Sequence, residues 1–179
     1  MINSSLSPYL PYSLKLAAKQ RKGGGNMFRH QVETLAILLE YGYADPVLLK
    51  AALIHDIIED GERIGFQGFD EIRTIDKDGA EVLNLVKEVS QLVIQGVKET
   101  KSEFLLRIML RGSEQAKILK LADRISNLSA LPLAGDLEFI KNYIAETENY
   151  ILPYATEINP VMADEMKNRI SSTLKIIQR

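Results

Sequence analysis

Cysteine and tryptophan are both missing from this sequence of 179 residues, and histidine occurs only twice. Without cysteine there are no disulfide bridges, no thiolate-bound zinc and no thiol nucleophile. Aromatic residues make up only 7%, and the 11 glycines and 6 prolines are scattered as punctuation rather than gathered into low-complexity tracts. No apolar run approaches the roughly 20 residues that span a bilayer, and no basic stretch ahead of an apolar core marks a secretory leader at the N-terminus. The expectation is a cytoplasmic protein. A surplus of one charge is lacking too: 22 Lys and Arg stand against 24 Asp and Glu, a formal net charge of −2. That leaves no global field to hold nucleic acid or an acidic membrane, and neither is expected as a partner. What is present, 46% hydrophobic and 26% charged residues, is the composition of one globular domain able to bury its own core.

The balanced charge hides local asymmetry. Residues 1–30 carry Lys15, Lys19, Arg21, Lys22 and Arg29 and no acid, residues 59–81 carry eight acids against three bases, and residues 98–124 carry seven bases against four acids. Solvated helix faces account for such runs; the alternative is that the basic stretches and the acidic one meet at a common cleft.

Apolar spacing predicts helices throughout, with no alternating strand pattern and no Asn-Gly hairpin. The fold class is therefore all-α, a helical bundle forming a single domain over residues 1–179. A first helix is expected over about 8–19, then a loop at Arg21-Lys22-Gly23-Gly24-Gly25-Asn26, because three glycines do not stay helical. A helix over 30–40 would place Val32, Leu35, Ala36 and Leu39 at core spacing. Asp45 and Pro46 open the next helix as N-cap and first residue, expected to run to about Glu59 and to close near Gly61. Residues 63–79 read as short turns. Further helices are expected over 80–94, 101–111, 114–129 behind a Ser113 cap, 136–156, and 161–178 behind Asn159-Pro160.

The helix from Pro46 ends in His55-Asp56-Ile57-Ile58-Glu59-Asp60, with His55 and Glu59 one turn apart and Asp56 and Asp60 likewise. Three carboxylates at a helix C-terminus repel one another and oppose the macrodipole. Either they form an exposed acidic end, or a cation compensates them. The other candidates are His30 and Asp123. In 116–127, Ile118, Leu121, Ala122 and Ile125 form a core stripe, and Leu119, Asp123 and Asn127 lie on a line at its edge. Asp123 there either pairs with Lys120 or Arg124 or points into a shared site. Two histidines and two aspartates suit Mn²⁺ or Fe²⁺, and four protein ligands leave open positions on an octahedral metal. Glu59 and Asp60 are then left over as general base and as orienter of an attacking water, the logic of a hydrolase.

The order His30, His55-Asp56, Asp123 resembles the H…HD…D pattern of the HD-domain metal phosphohydrolases, an all-α superfamily. More narrowly, Arg21-Lys22 ahead of His30, then His55-Asp56-Ile57-Ile58-Glu59-Asp60, then Lys120-Leu121-Ala122-Asp123-Arg124-Ile125-Ser126-Asn127-Leu128, are similar to successive motifs of the hydrolase domain of the RelA/SpoT family. Residues 146–155 resemble the segment closing that domain. The likeness covers about residues 10–157 and leaves a C-terminal helix over about 161–178.

The resemblance implies an Mn²⁺-dependent guanosine-3′,5′-bis(diphosphate) 3′-pyrophosphohydrolase, which converts ppGpp or pppGpp to GDP or GTP plus pyrophosphate through a metal-activated water. It implies His30, His55, Asp56 and Asp123 as manganese ligands and Glu59 and Asp60 as the catalytic pair. Arg21 and Lys22 match the pair that packs on guanine, in keeping with the way Arg stacks on a flat ring. Asn127 and Thr147 would complete the substrate contacts. With a small guanosine nucleotide as partner and no length for synthetase or regulatory domains, the chain resembles a stand-alone small alarmone hydrolase.

Departures bear on base packing and substrate preference: Asn26-Met27-Phe28 and Gln31 around the first histidine, Gly61 in place of Thr, and Ser126 in place of a larger residue. The alternatives are an HD phosphohydrolase acting on NADPH or a deoxynucleotide, and a low-turnover alarmone binder or antidote to a toxic synthetase. The intact Glu59-Asp60 pair argues against the last.

Overall fold

The computed structural model of the chain describes residues 6–61 and 68–178. A 3₁₀ turn at Ser7–Tyr9 leads into α1 (Leu10–Lys15), which ends earlier than its pattern predicts. Residues 20–26 then turn back on themselves, closed by an isolated bridge between Gln20 and Asn26. Gly24 and Gly25 adopt φ of 82° and 71° there, a left-handed backbone that favours glycine.

Asn26 starts α2 (Met27–Glu40), its side chain accepting from Arg29 N at 2.9 Å. The helix therefore begins three residues before His30. Its buried face also differs from expectation. Met27, His30, Gln31, Thr34 and Leu38 face inward, whereas Val32, Ala36 and Leu39 are exposed and Leu35 is half-buried. Polar side chains take the inner face because part of it lines the site described below.

Asp45 and Pro46 open α3 (Pro46–Ile54) as predicted, with Asp45 accepting from Leu48 N. The helix does not continue to Glu59. It is interrupted at His55-Asp56, and a separate α4 covers Ile57–Gly61. At the break His55 Nδ1 donates to the Ala52 carbonyl at 2.8 Å, the acceptor that a regular helix offers to Asp56 N–H. The turns expected from residue 63 fall partly on 62–67, outside the described residues; from there α5 (Phe69–Arg73) leads to α6 (Gly79–Val89).

The strand pattern was missed at one place. Instead of helix to residue 94, β1 (Val93–Ile94) pairs antiparallel with β2 (Val97–Lys98), turning through Gln95 and Gly96 at φ of 51° and 80°. Two consecutive positive φ values give the turn whose twist matches a hairpin. Arg107 stops α6 here by donating to the carbonyls of Glu88 and Ser90 at 2.8 and 2.7 Å. It lies on α7 (Lys101–Arg111), which opens with a reciprocal capping box between Thr100 and Glu103.

Ser113 caps α8 (Glu114–Ala130), the axle of the bundle: it packs on α2, on α6 and on α11 (Pro160–Ile177), and residues 118–126 are all buried. The expected helix over 136–156 is two, α9 (Leu137–Tyr150) and α10 (Leu152–Ile158). Pro153 lacks an N–H and its ring clashes with the carbonyl four residues back, so the helix breaks at Ile151. Asn159 caps α11, accepting from Met162 N at 3.0 Å. One buried apolar cluster draws on the long helices together, so the fold is all-α apart from the small hairpin. Among the described residues no helix is long and apolar enough to cross a membrane.

Candidate active site

Three elements converge on one point beside α8. From α2 comes His30, from the α3–α4 break come His55 and Asp56, and from the middle of α8 comes Asp123. His30 Nε2 lies 3.1 Å from Asp123 Oδ1 and 3.5 Å from Asp56 Oδ2. His55 Nε2 lies 3.2 Å from Asp56 Oδ2, 3.7 Å from Asp123 Oδ1 and 3.2 Å from His30 Nε2. Both histidines are buried. Because His55 Nδ1 carries the proton given to Ala52, its Nε2 is bare in the neutral ring.

Two observations show that these residues fit a divalent cation. Asp56 Oδ2 is buried without a hydrogen-bond partner, a costly state that a bound cation would relieve. The donor set, two imidazole nitrogens and two carboxylate oxygens, also suits Mn²⁺, Fe²⁺ or Zn²⁺. The cluster draws positive charge to itself. Burial opposes charge on His55, yet Asp56 and Asp123 outweigh it and raise the imidazole to about 10, while His55 brings Asp56 down to about 2 against the same burial. Asp123 is likewise held well below the usual carboxylate range against its burial, first by the Lys120 ammonium. Lys120 Nζ donates to Asp123 Oδ2 at 2.9 Å, and Asn127 Nδ2 donates to Oδ1 at 2.6 Å. Asp123 thus both pairs with Lys120 and points into the shared site.

His30, Asp56 and Asp123 form one wall of a cavity of about 280 Å³, which His55 does not itself line. Glu59 enters this cavity, its Oε1 accepting from Gln91 N at 2.9 Å. Asp60 does not line it: neighbouring side chains on a helix diverge, and the Asp60 carboxylate turns to an ion pair with Lys19. Arg21 reaches in from the loop before α2, its NH2 donating to Asn127 Oδ1 at 2.7 Å. Lys22 stands outside, against the Phe139 ring at 4.2 Å and Asp136 at 3.7 Å. It lines an adjoining cavity of about 330 Å³ that shares Arg21, Asn127, Phe139 and Tyr143 with the first. Thr147 is wholly buried beneath the wall, donating to the Tyr143 carbonyl and accepting from Arg124 at 3.3 Å. It meets the cavity only through Arg124 and Tyr143.

The sequence reading took Lys120 and Arg124 only as partners for Asp123 and passed over Lys101; the three form a cationic wall of the same cavity. Arg124 also stacks on Tyr143, 4.2 Å from the ring centroid. The Lys101 ammonium has its pKa lowered, by loss of hydration first, with Lys120 and Arg124 adding and Glu59 opposing. The available signal was the basic stretch 98–124. Members of both basic stretches and of the acidic one do meet at this cleft, as Arg21, Glu59, Lys101, Lys120 and Arg124. Larger grooves, of about 530 Å³ beside α11 and 710 Å³ beside the hairpin, hold neither histidine.

Comparison with known proteins bears on the family and the fold. A family model described as HD domain matches residues 10–147. Similar curated proteins include the probable GTP diphosphokinase RSH3, chloroplastic, of Oryza sativa subsp. japonica, 32% identical over 77% of this chain and 20% of its own length. The GTP pyrophosphokinase rsh of Brucella ovis is 31% identical over 65% of this chain and 15% of its own length. A probable guanosine-3′,5′-bis(diphosphate) 3′-pyrophosphohydrolase of Synechocystis sp. is 24% identical over 79% and 18%. The chain thus spans a fifth or less of these relatives' length. A solved structure of a metazoan ortholog of SpoT, described as hydrolysing ppGpp and acting in starvation responses, shares the fold with TM-score 0.75 and 22% identity, over 93% of this chain and 94% of that one.

Proposed function

The chain belongs to the HD domain family, and we propose that it is a cytoplasmic, Mn²⁺-dependent hydrolase of a single domain that removes pyrophosphate from the 3′ position of ppGpp or pppGpp. The observation that carries this reading is the convergence of His30, His55 and Asp56, with Asp123 Oδ1 3.1 and 3.7 Å from the two imidazole Nε2 atoms, at a cavity that also holds Glu59 and a wall of three cations. The similarity to a probable 3′-pyrophosphohydrolase and to a ppGpp-hydrolysing fold supports the choice of substrate.

His30, His55, Asp56 and Asp123 would hold the cation. When bound, it supplies Lewis acidity toward a phosphoryl oxygen and a water of lowered pKa. Glu59 takes the proton of the attacking water on Oε2, since its Oε1 accepts from Gln91 N. Lys101, Lys120 and Arg124 face the negative charge of the departing pyrophosphate, and burial of Lys120 and Arg124 strengthens their attraction. Arg21 and Lys22, with Phe139 and Tyr143, offer flat and cationic surfaces to the base. Asn127 holds Arg21 and Asp123 in register. Asp60 acts through Lys19, tying α4 to the base-binding loop, and Thr147 acts by fixing Arg124.

The test is release of pyrophosphate from ppGpp by metal-stripped protein, with and without Mn²⁺, using Asp56→Ala as blank. The expected result is Mn²⁺-dependent release that Asp56→Ala lacks. Mn²⁺ binding without release from either alarmone would refute the substrate and keep the site.

A further inference from the structure

The two histidines differ in what holds the far nitrogen of each ring. His55 Nδ1 faces a backbone carbonyl, which only accepts, so its tautomer is fixed by the main chain. His30 has no such carbonyl: its Nδ1 lies 2.8 Å from the Ser126 hydroxyl, a group that donates or accepts. What decides is the next residue along. Ser126 Oγ donates to Glu33 Oε2 at 3.1 Å, and a hydroxyl has one proton. Given to the carboxylate, that proton leaves only lone pairs toward the imidazole, so Nδ1 carries a proton and Nε2 is bare in the neutral ring. Nε2 is the atom that faces Asp123, His55 and Asp56.

The end of this chain is itself anchored. Arg29 Nε donates to Glu33 Oε1 at 2.9 Å, and Arg21 NH1 lies 3.8 Å from Oε2. His30 and Ser126 are buried while the Glu33 side chain is 33% exposed, so the relay runs from the cluster to the surface. None of its members is a candidate ligand except His30.

We propose that Ser126 and Glu33 are positioning residues, forming a carboxylate–hydroxyl–imidazole relay that holds His30 in the tautomer presenting Nε2 to a divalent cation. The inference rests on the reading of His30, His55, Asp56 and Asp123 as the ligands, and it gives a purpose to the small residue at 126. Groups behind a metal-binding histidine fix its orientation and raise its basicity, and losing them typically costs about 10–100-fold in metal affinity.

The experiment uses the full chain in two readouts. Mn²⁺ affinity is measured from the EPR signal of free Mn²⁺, and the His30 tautomer from imidazole ¹⁵N shifts of metal-stripped protein. Ser126→Ala is expected to weaken Mn²⁺ binding about 10–100-fold and to move the His30 proton toward Nε2. Ser126→Thr, which keeps the hydroxyl, restores both, and Glu33→Gln falls between. Alanine favours the helix at 126, and the threonine variant guards against a loss of fold being read as loss of the relay. Wild-type Mn²⁺ affinity in Ser126→Ala, with the proton still on Nδ1, overturns the proposal. Asp56→Ala separates the two readings: if it binds Mn²⁺ like wild type the ligand set is wrong, whereas the tautomer measurement needs no metal and judges the relay by itself.

Discussion

Replacing Glu59 with glutamine exchanges one carboxylate oxygen for an amide nitrogen and leaves the side-chain volume almost unchanged. Glu59 Oε1 accepts from Gln91 N at 2.9 Å, a bond that a glutamine carbonyl makes as well, so the join between α4 and the segment after α6 survives at a cost of about 1 kcal/mol. The four ligand atoms are untouched. What disappears is the proton acceptor, since an amide takes no proton near neutral pH. A positioned general base contributes about 10²–10⁴-fold, or about 2.7–5.4 kcal/mol of activation free energy. The lost charge has a second effect: Glu59 is the leading group that opposes the lowering of the Lys101 pKa, so that ammonium titrates lower still in the variant. Pyrophosphate release from saturating ppGpp, read beside Mn²⁺ binding, should show kcat down by about 10²–10⁴ with Mn²⁺ retained. An undiminished kcat would remove Glu59 from the chemistry, and loss of Mn²⁺ would place it among the ligands.

Arg21→Ala removes the cation that stacks on the base, about 0.5–2 kcal/mol, so KM for ppGpp should rise about 2–30-fold with a smaller change in kcat; steady-state kinetics distinguish this from a kcat defect. Lys50 is a structural counterpart: its buried ammonium meets Asp76 and Asp78 at 2.7 Å each, and Lys50→Met should lower unfolding free energy by about 2–4 kcal/mol in urea titration, the lower end because both carboxylates keep some water. Burial pushes Asp76 up, but Lys50, the Asp78 N–H and Tyr9 prevail and hold it below its ordinary 3.8. A folded value below the unfolded one stabilises above the carboxylate range and is lost as pH falls through it, so the wild-type urea midpoint should drop on acidification below about pH 4 more steeply than that of Lys50→Met. At Gly79 a Cβ would sit 2.8 Å from the Arg73 carbonyl oxygen and closer still to that of Ile72; Gly79→Ala should cost about 1–3 kcal/mol, seen as a fall in thermal midpoint.

The parts of the fold legible in advance are those governed by local chemistry. Asp45, Ser113 and Asn159 cap their helices through bonds to a main-chain N–H three residues on, and nothing distant is needed to form them. The stripe of Ile118, Leu121, Ala122 and Ile125 on α8 was legible and is buried, but burial exceeds the period there: the line of Leu119 and Asp123 expected at the core's edge is covered as well, and the site lies against Asp123. On α2 period and burial part further. Its inner face carries His30, Gln31 and Thr34, and reading apolar residues alone rotates the helix toward Val32, Ala36 and Leu39, which the fold leaves exposed. The hairpin at 93–98 escaped because its turn is Gln-Gly rather than Asn-Gly, and two-residue strands have no periodicity to detect.

For the candidate site, the sequence by itself determined the chemical inventory: two histidines with no cysteine, His-Asp adjacent, and a carboxylate on a mostly apolar helix. Residue type and spacing left other uses open, an exposed acidic helix end or a pairing of Asp123 with Lys120 or Arg124, and it was the resemblance to the H…HD…D pattern that joined His30, His55, Asp56 and Asp123 as ligands. Tertiary structure alone decided how each charge is spent. Of the acids in 59–81, Glu59 faces the cavity, Asp60 goes to Lys19, and Asp76 and Asp78 go to Lys50. The wall of Lys101, Lys120 and Arg124 and the relay from Glu33 through Ser126 to His30 join residues up to 96 positions apart. Such contacts have no local signature, because a hydrogen bond or an ion pair depends on distances of a few ångströms in space, and only the packing of α2, α7 and α8 sets those.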